Sequence, residues 1–455
     1  MSTLIAIVGI GILCLLFEIF NLRKIIIPVT IVALLALFGL NLTDNLPVIT
    51  GYESMIFVDD FGKVFSSLFI LLTGLLILLS APSYAKSSKI SDFISIKVFI
   101  LSGAVAMVTF NNISMFFLGI EVLSIGLYVL AGSDRLNVKS NEAGMKYFLM
   151  GSFASGILLF GIAMLYGATG AFDVPTLKEA SMSATTEYWF YIGVIMITIG
   201  MLFKVAATPM HFWAPDVYEG SPTQITALMS TLAKVTAMAA FFKLVGILNT
   251  YMYDEYKQVI VVVTIATMFF GNVMALRQRK LKRILAYSGI SHTGFMLMTL
   301  LNVENSQNNL LFYTVSYAIA GLAAFSVVLF VTKKEDNCKI ENFNGLGKRS
   351  PIMAFIMTVA TLSMAGIPIL AGFFGKFFIL SQIITDGYLG LAIFAIINSM
   401  IAIYYYFKVI IAMYLREESE DNVLANHSEY YIVGIVATVL LLIIGIFPDY
   451  ILNLL

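Results

Sequence analysis

The sequence predicts an all-α polytopic membrane protein of about fourteen transmembrane helices, built as two inverted five-helix repeats whose helices 7 and 12 are discontinuous. Three observations predict it. First, 60% of the 455 residues are hydrophobic and only 12% are charged, with a mean hydropathy of +0.93. A soluble chain of this length could not hide that much apolar surface, whereas a bilayer can. Second, apolar runs of spanning length recur down the whole chain. Third, glycine and proline interrupt two of those runs at membrane depth, and each interrupted run carries a lysine.

The runs fall near 3–20, 24–42, 61–80, 93–110, 112–131, 144–168, 188–210, 223–248, 257–276, 283–301, 309–332, 352–383, 388–414 and 430–453. The first, MSTLIAIVGIGILCLLFEIF, has no basic region ahead of it. Its first cations, Arg23 and Lys24, come after it, the reverse of a cleaved signal peptide, so it reads as a retained span. The seventh run is interrupted by Pro209. The twelfth is interrupted by Gly366, Pro368, Gly372 and Gly375. Irregular backbone at membrane depth is tolerated only beside packed protein or a water-filled cavity.

Loop charges set the orientation. Arg23 and Lys24, Lys86 and Lys89, Arg135 and Lys139, RQRKLKR at 277–283, the basic stretch 333–350 and Arg416 all lie in odd-to-even loops. The opposite loops hold mainly Lys63, Lys178 and Lys257. By the positive-inside rule the basic loops face the cytoplasm and both termini face the other side. No inter-span segment is long enough for a soluble core. Four segments result: an N-terminal three-helix part (1–92), a first five-helix repeat (93–248), a second, inverted one (257–414) and a C-terminal helix (430–455). Paired broken helices in corresponding positions are the usual pointer to a transport site.

Composition also excludes. The net charge is zero, which argues against a nucleic-acid partner. Cys14 and Cys338 are the only cysteines, too few for a disulfide framework or a cysteine-based metal site. Gly9 and Gly11 lie in an apolar span without strand context, and GFFGK lacks the phosphate-loop spacing, so no dinucleotide or nucleotide site is expected.

The ionisable residues deep in spans carry the functional reading. Glu121 lies about nine residues into the fifth span, roughly 14 Å at the helical rise. Lys234 is central in the eighth span, Lys204 lies in the seventh, Lys376 follows the break of the twelfth, and His292 lies in the tenth. Lys243 and Lys408, near span ends, are read as snorkelling side chains, and Lys146 is balanced between snorkelling and function. A charge near the bilayer centre is costly and marks an ion or proton pathway by default. An ammonium taken out of water gives up its proton more readily, which suits proton loading and release, whereas arginine would stay charged. No arginine occurs in the interior of a span.

Four stretches then carry a resemblance. FKVAATPMHFWAPDVYEGSPTQITALMSTLAKVTAMAAFFKL (203–244), FFLGIEVLSIGLYVL around Glu121, LKRILAYSGISHTGFML around His292 and LSMAGIPILAGFFGKFFIL around Lys376 resemble the antiporter-like subunits of respiratory complex I, Mrp-type antiporters and membrane-bound hydrogenases. The PDVYEG turn, Lys234, the stretch 142–167 and Tyr404–Tyr406 favour the complex I branch, with a multi-subunit Mrp-type cation/proton antiporter as the alternative. The resemblance covers about residues 94–416.

It implies a proton-translocating subunit without a redox centre of its own, coupled to quinone reduction elsewhere in an NADH-quinone oxidoreductase. Glu121 would pair with Lys204, and Lys146 would modulate that site. Lys234 and His292 would carry the central path, and Lys376 would guard the exit. Flavin, iron–sulfur clusters and quinone would sit in partner subunits, the partners being other antiporter-like and small membrane subunits. The location implied is the bacterial cytoplasmic (inner) membrane.

Overall fold

The structure, a computed structural model, describes all residues except 44, 48, 85, 86, 88, 183–187, 249–252, 333–337 and 419–423. The loop cations Lys86, Lys333 and Lys334, used above for orientation, lie outside the described residues.

The helices run in chain order as α1 (Ser2–Ile19), α2 (Ile26–Leu42), α3 (Asp60–Tyr84), α4 (Ile90–Thr109), α5 (Ile113–Ala131), α6 (Val138–Thr169) and α7 (Val174–Ser181). Then follow α8 (Tyr188–Lys204), α9 (Trp213–Gly220), α10 (Thr223–Leu228), α11 (Lys234–Leu248), α12 (Tyr253–Leu276), α13 (Leu281–Met298) and α14 (Gln307–Val331). Last come α15 (Leu346–Arg349), α16 (Pro351–Ala365), α17 (Ala371–Thr385), α18 (Leu389–Leu415), α19 (Ser428–Ile446) and α20 (Asp449–Leu452).

Among the described residues, 12 helical stretches are long and apolar enough to cross a membrane. Three shorter apolar helices, α8, α16 and α17, fall on the two runs that glycine and proline interrupt. Helix is the only open-ended answer to lipid, because every backbone group must find its partner within the segment.

Burial is uneven, and this positions the site. Every residue of 284–301 and 310–331 is buried, as is all of 223–248 except Lys243 and Gly246, whereas only 22% of Ser2–Ile19 is buried. The spans that carry Lys234 and His292 are among the enclosed ones, as polar and ionisable groups turn inward from lipid, so α10, α11, α13 and α14 form the axis of the molecule. Two glycine pairs draw neighbouring helices together: a Cβ on Gly103 or Gly119 (α4/α5), or on Gly161 or Gly193 (α6/α8), would stand 2.7–2.9 Å from its partner's carbonyl oxygen. Small residues at such crossings permit the backbone approach on which packing in a bilayer depends.

The seventh span breaks earlier than Pro209. α8 ends at Lys204, because a proline ring at 209 clashes with a helical carbonyl four residues back, at Val205, and offers no N–H. Ala206 takes φ 57°, a left-handed conformation unusual for a residue with a side chain. The freed backbone groups find side chains instead. Val205 O accepts from Thr293 Oγ1 (3.0 Å), Phe203 O accepts from Trp213 Nε1 (3.0 Å), and Thr208 N donates to Thr267 Oγ1 (3.0 Å).

In the twelfth span α16 ends at Ala365, capped by Gly366 at φ 87°. The start of α17 then presses on the end of α16, where Gly372 N donates to Ser363 Oγ at 3.1 Å. A Cβ on Gly372 would lie 1.9 Å from Ser363 O. A third irregularity, absent from the sequence reading, is a π-helical stretch at Met229–Ala233, immediately before Lys234. Such π-bulges in α-helices often sit at functional sites.

Candidate functional site

Lys204 is the last residue of α8, at the negative end of that helix dipole. Its Nζ donates to three neutral oxygens: Ser124 Oγ (2.8 Å), Ser155 Oγ (3.2 Å) and Tyr128 OH (3.4 Å). Glu121 makes no ion pair with it. The carboxylate lies one turn before Ser124 on α5, and its Oε1 is buried without a hydrogen-bond partner among the described residues. Glu121 thus acts on Lys204 through its charge and not through a hydrogen bond.

Lys376 reaches a comparable place from the other side of its break. Its Nζ donates to Ala365 O, the terminal carbonyl of α16, at 3.0 Å, and lies 5.1 Å from the Phe295 ring centroid. Both lysines therefore rest at the carbonyl end of a helix that stops inside the membrane. Orphan carbonyls at such an end favour a cation.

Between them lies the axis. Lys234 is 2% exposed and its Nζ has no hydrogen-bond partner among the described residues. It faces Gly289 on α13: a Cβ there would stand 3.1 Å from Lys234 Nζ and 2.8 Å from Tyr317 OH. One turn further along α13, His292 Nδ1 is 2.7 Å from Tyr313 OH and Nε2 is 3.2 Å from Tyr406 OH. Tyr406 OH in turn makes a short hydrogen bond with Ser288 Oγ. A cavity of about 10 Å³, lined by His292, Tyr313, Ser316, Tyr317, Ser363 and Gly372 among others, joins the histidine to the twelfth-span break. That is the size of a single water. Lysine, tyrosine and histidine all exchange protons by hydrogen bonds, and a gap of this size has room for one water to bridge them.

Lys146 stands apart from this row. It is half-buried, paired with Glu142 (2.7 Å) and Asp216 (3.1 Å). Asp216 also pairs with Arg283 (2.9 Å), Arg283 with Glu219 (2.9 Å), and Glu219 with Lys280. The network ties α6 and α9 to the start of α13. Partial burial pushes the Asp216 carboxyl up, but hydrogen bonds from Arg283 and Lys146 outweigh it and hold the group below the usual carboxylate range. Burial opposes Glu219 likewise, and Lys280 and Arg283 hold it low.

Several side chains escaped the sequence reading. Lys97 on α4 is 0% exposed, with Nζ donating to Ser80 Oγ at 2.6 Å and lying 4.8 Å from the Tyr84 ring centroid. His211 is buried in the seventh-span break, its Nδ1 3.3 Å from Thr208 Oγ1. Tyr313 and Tyr317 sit four apart on one face of α14, a spacing legible only once α14 is known to adjoin α13. Lys243, read as snorkelling, pairs with Asp59 (3.1 Å) and donates to Val108 O (2.8 Å). Lys408 donates to Gln278 O at 3.0 Å.

Fold and site together define a class: a polytopic helical membrane protein with lysines and a histidine strung between two broken helices, the build of an antiporter-like subunit. The family model for the membrane domain of NADH:quinone oxidoreductase and Mrp antiporters matches residues 110–402, and the chain belongs to this family. It is 56% identical to NADH-quinone oxidoreductase subunit N of Flavobacterium johnsoniae, over 100% of both chains. It also superposes on a chain of respiratory complex I from Thermus thermophilus with TM-score 0.85, at 27% identity, covering 99% of this chain and 98% of that one. A chain of the Mrp complex from Dietzia sp. shares the fold at TM-score 0.85 with 19% identity, over 100% of this chain and 95% of that one.

Proposed function

We propose that this chain is the N-type proton-translocating subunit of an NADH-quinone oxidoreductase, and that Lys204, Lys234, His292 and Lys376 are its proton stations. The full-length identity to subunit N supports the first part. For the second, one observation carries the argument. Lys234, with no partner of its own, faces Tyr317 across Gly289, beside a histidine held between Tyr313 and Tyr406.

The stations follow one logic. Lys204 rests among three hydroxyl groups that accept equally well from the ammonium and can donate to the neutral amine. Glu121, one turn from Ser124, shifts that balance by its charge. Lys234 receives the proton at the end of the π-helical stretch and passes it through Tyr317 and His292. Lys376 takes it across the water-sized cavity and releases it beyond the twelfth-span break. No redox chemistry is asked of these residues. The flavin, iron–sulfur clusters and quinone belong to partner subunits, and moving one charge against 100 mV needs about 2.3 kcal/mol from them. Lys146 acts at a distance, through Asp216 on the segment after the seventh-span break.

The same reading divides the chain into an N-terminal part (1–92), repeats 93–248 and 257–414 and a final helix (430–455). An odd number of spans per repeat makes the second repeat enter from the opposite side. Both termini are placed on the periplasmic face of a bacterial cytoplasmic membrane.

The test is proton pumping by the intact complex in proteoliposomes carrying Lys234→Ala or Lys204→Ala in this chain. Assembly with normal subunit content and much reduced pumping is expected. Normal pumping by a fully assembled Lys234→Ala complex would remove these residues from the path.

A further inference from the structure

Away from the proton stations, a groove of about 380 Å³ opens between α1, α4 and α5 at the end of the bundle that carries the basic loops. Its wall follows one face of α4. Lys89 and Asp92 stand at the rim, with Phe93, Ile96 and Phe99 below them, spanning ten residues or roughly 15 Å of helix. Leu15 of α1 and Val129 of α5 complete the apolar sides, and Arg135, in the turn after α5, closes the rim opposite Lys89. The depth matches one leaflet, half of a hydrocarbon core about 30 Å thick.

The polar groups at the mouth are uncommitted. Lys89 and Arg135 are both exposed, and no ion pair joins either to a described residue. Ser95, which lines the groove, is 1% exposed, and its Oγ has no hydrogen-bond partner among the described residues. One acid, Asp92, shares the rim, so the cations outnumber it by one.

We propose that this groove binds an anionic phospholipid of the adjoining leaflet, its phosphate between Lys89 and Arg135 and one acyl chain along Phe93, Ile96, Phe99 and Val129. Basic pockets between transmembrane helices recognise lipid headgroups in this manner. A free phosphate would need the cations but not the apolar wall. A partner helix would fill the wall but would answer both cations only with acids of its own at the rim. Asp92 would accept from a headgroup hydroxyl, which favours phosphatidylglycerol over a choline lipid. The lipid would also fasten α1, the least buried of the spans, to the bundle.

The experiment uses the intact complex, stripped of lipid in detergent and titrated with dioleoyl phosphatidylglycerol or dioleoyl phosphatidylcholine, bound lipid being counted by native mass spectrometry. The wild type should hold one more phosphatidylglycerol than a Lys89→Ala/Arg135→Ala complex of the same subunit content, bound roughly 30-fold tighter, equivalent to about 2 kcal/mol. Lys89→Arg/Arg135→Lys should restore it, and the choline lipid should show no such difference. Equal phosphatidylglycerol binding by wild type and double alanine variant would overturn the proposal. So would displacement of the lipid by millimolar inorganic phosphate, which would mark a plain ion site. A photo-crosslinking Val129→p-azidophenylalanine complex settles the occupant: a lipid adduct supports the proposal, and a crosslink to a neighbouring subunit refutes it.

Discussion

Gly289→Ala places a methyl group in the gap between Lys234 and Tyr317 without altering any charge. The new Cβ would stand 2.8 Å from Tyr317 OH and 3.1 Å from Lys234 Nζ. A carbon and a polar atom rest comfortably at about 3.5 Å, so each tip must retreat by roughly half an ångström. Both atoms are the far ends of flexible side chains, and alanine is favoured over glycine in a helix by about 1 kcal/mol. These terms nearly offset one another, so the variant should fold and assemble. The proton hand-over is what suffers. A misplacement of about 1 Å can cost a positioned reaction a hundredfold, and half of that points to a loss on the order of tenfold. The assay is proton uptake into proteoliposomes during NADH oxidation, with subunit content verified. Gly156→Ala is the control, since a Cβ there meets nothing within 4 Å. If Gly289→Ala pumps like Gly156→Ala in an assembled complex, protons do not pass between Lys234 and Tyr317.

Other outcomes follow from the same geometry. Lys204→Met, near in shape, should keep assembly while abolishing pumping. Stripping Ser124, Ser155 and Tyr128 of their shared donor should lower stability by about 1–3 kcal/mol, readable as an earlier thermal midpoint. Tyr313→Phe removes the hydroxyl 2.7 Å from His292 Nδ1; pumping should fall severalfold with the quinone KM unmoved, and a changed KM would point to a fault elsewhere in the complex. The cluster of Asp216 and Glu219 gives a pH signature. Both carboxyls are held low in the folded protein, so their stabilisation is fully present above the unfolded value near pH 4. It is lost as pH falls through the depressed folded values. Thermal midpoints taken from pH 7 down to 3 should drop below about pH 4, and Arg283→Ala should flatten that drop. An unchanged drop in the variant would show that the network is not its source.

Much of this protein was legible in one dimension. Apolar runs of spanning length give the passes because lipid leaves the backbone no partner but itself. The cost of a buried charge singles out Lys204, Lys234 and Lys376 before any fold is known. Pro209, Gly366 and Pro368 mark where helices stop, since a missing donor and a missing Cβ act locally, whereas Gly372 and Gly375, read as part of the interruption, lie inside α17. Glu121, Lys146 and Lys97 show the limit. Sequence places Glu121 at the right depth but cannot say that Lys204 bonds Ser124, Ser155 and Tyr128 instead of pairing with it. Sequence leaves Lys146 balanced between snorkelling and function, and only the fold shows it in an ion network with Glu142 and Asp216. Lys97 is not singled out in the sequence and is wholly enclosed.

Which side chains exist at membrane depth was therefore determined by the sequence alone, through solvation, a property each residue carries by itself. Which of them meet was decided only by the tertiary structure. The His292 pair with Tyr313 and Tyr406, and the resting of Lys376 on the carbonyl of Ala365, join residues from different helices, 11 to 114 positions apart. Hydrogen bonds reach about 3 Å, and no local pattern fixes distances that short between separate helices.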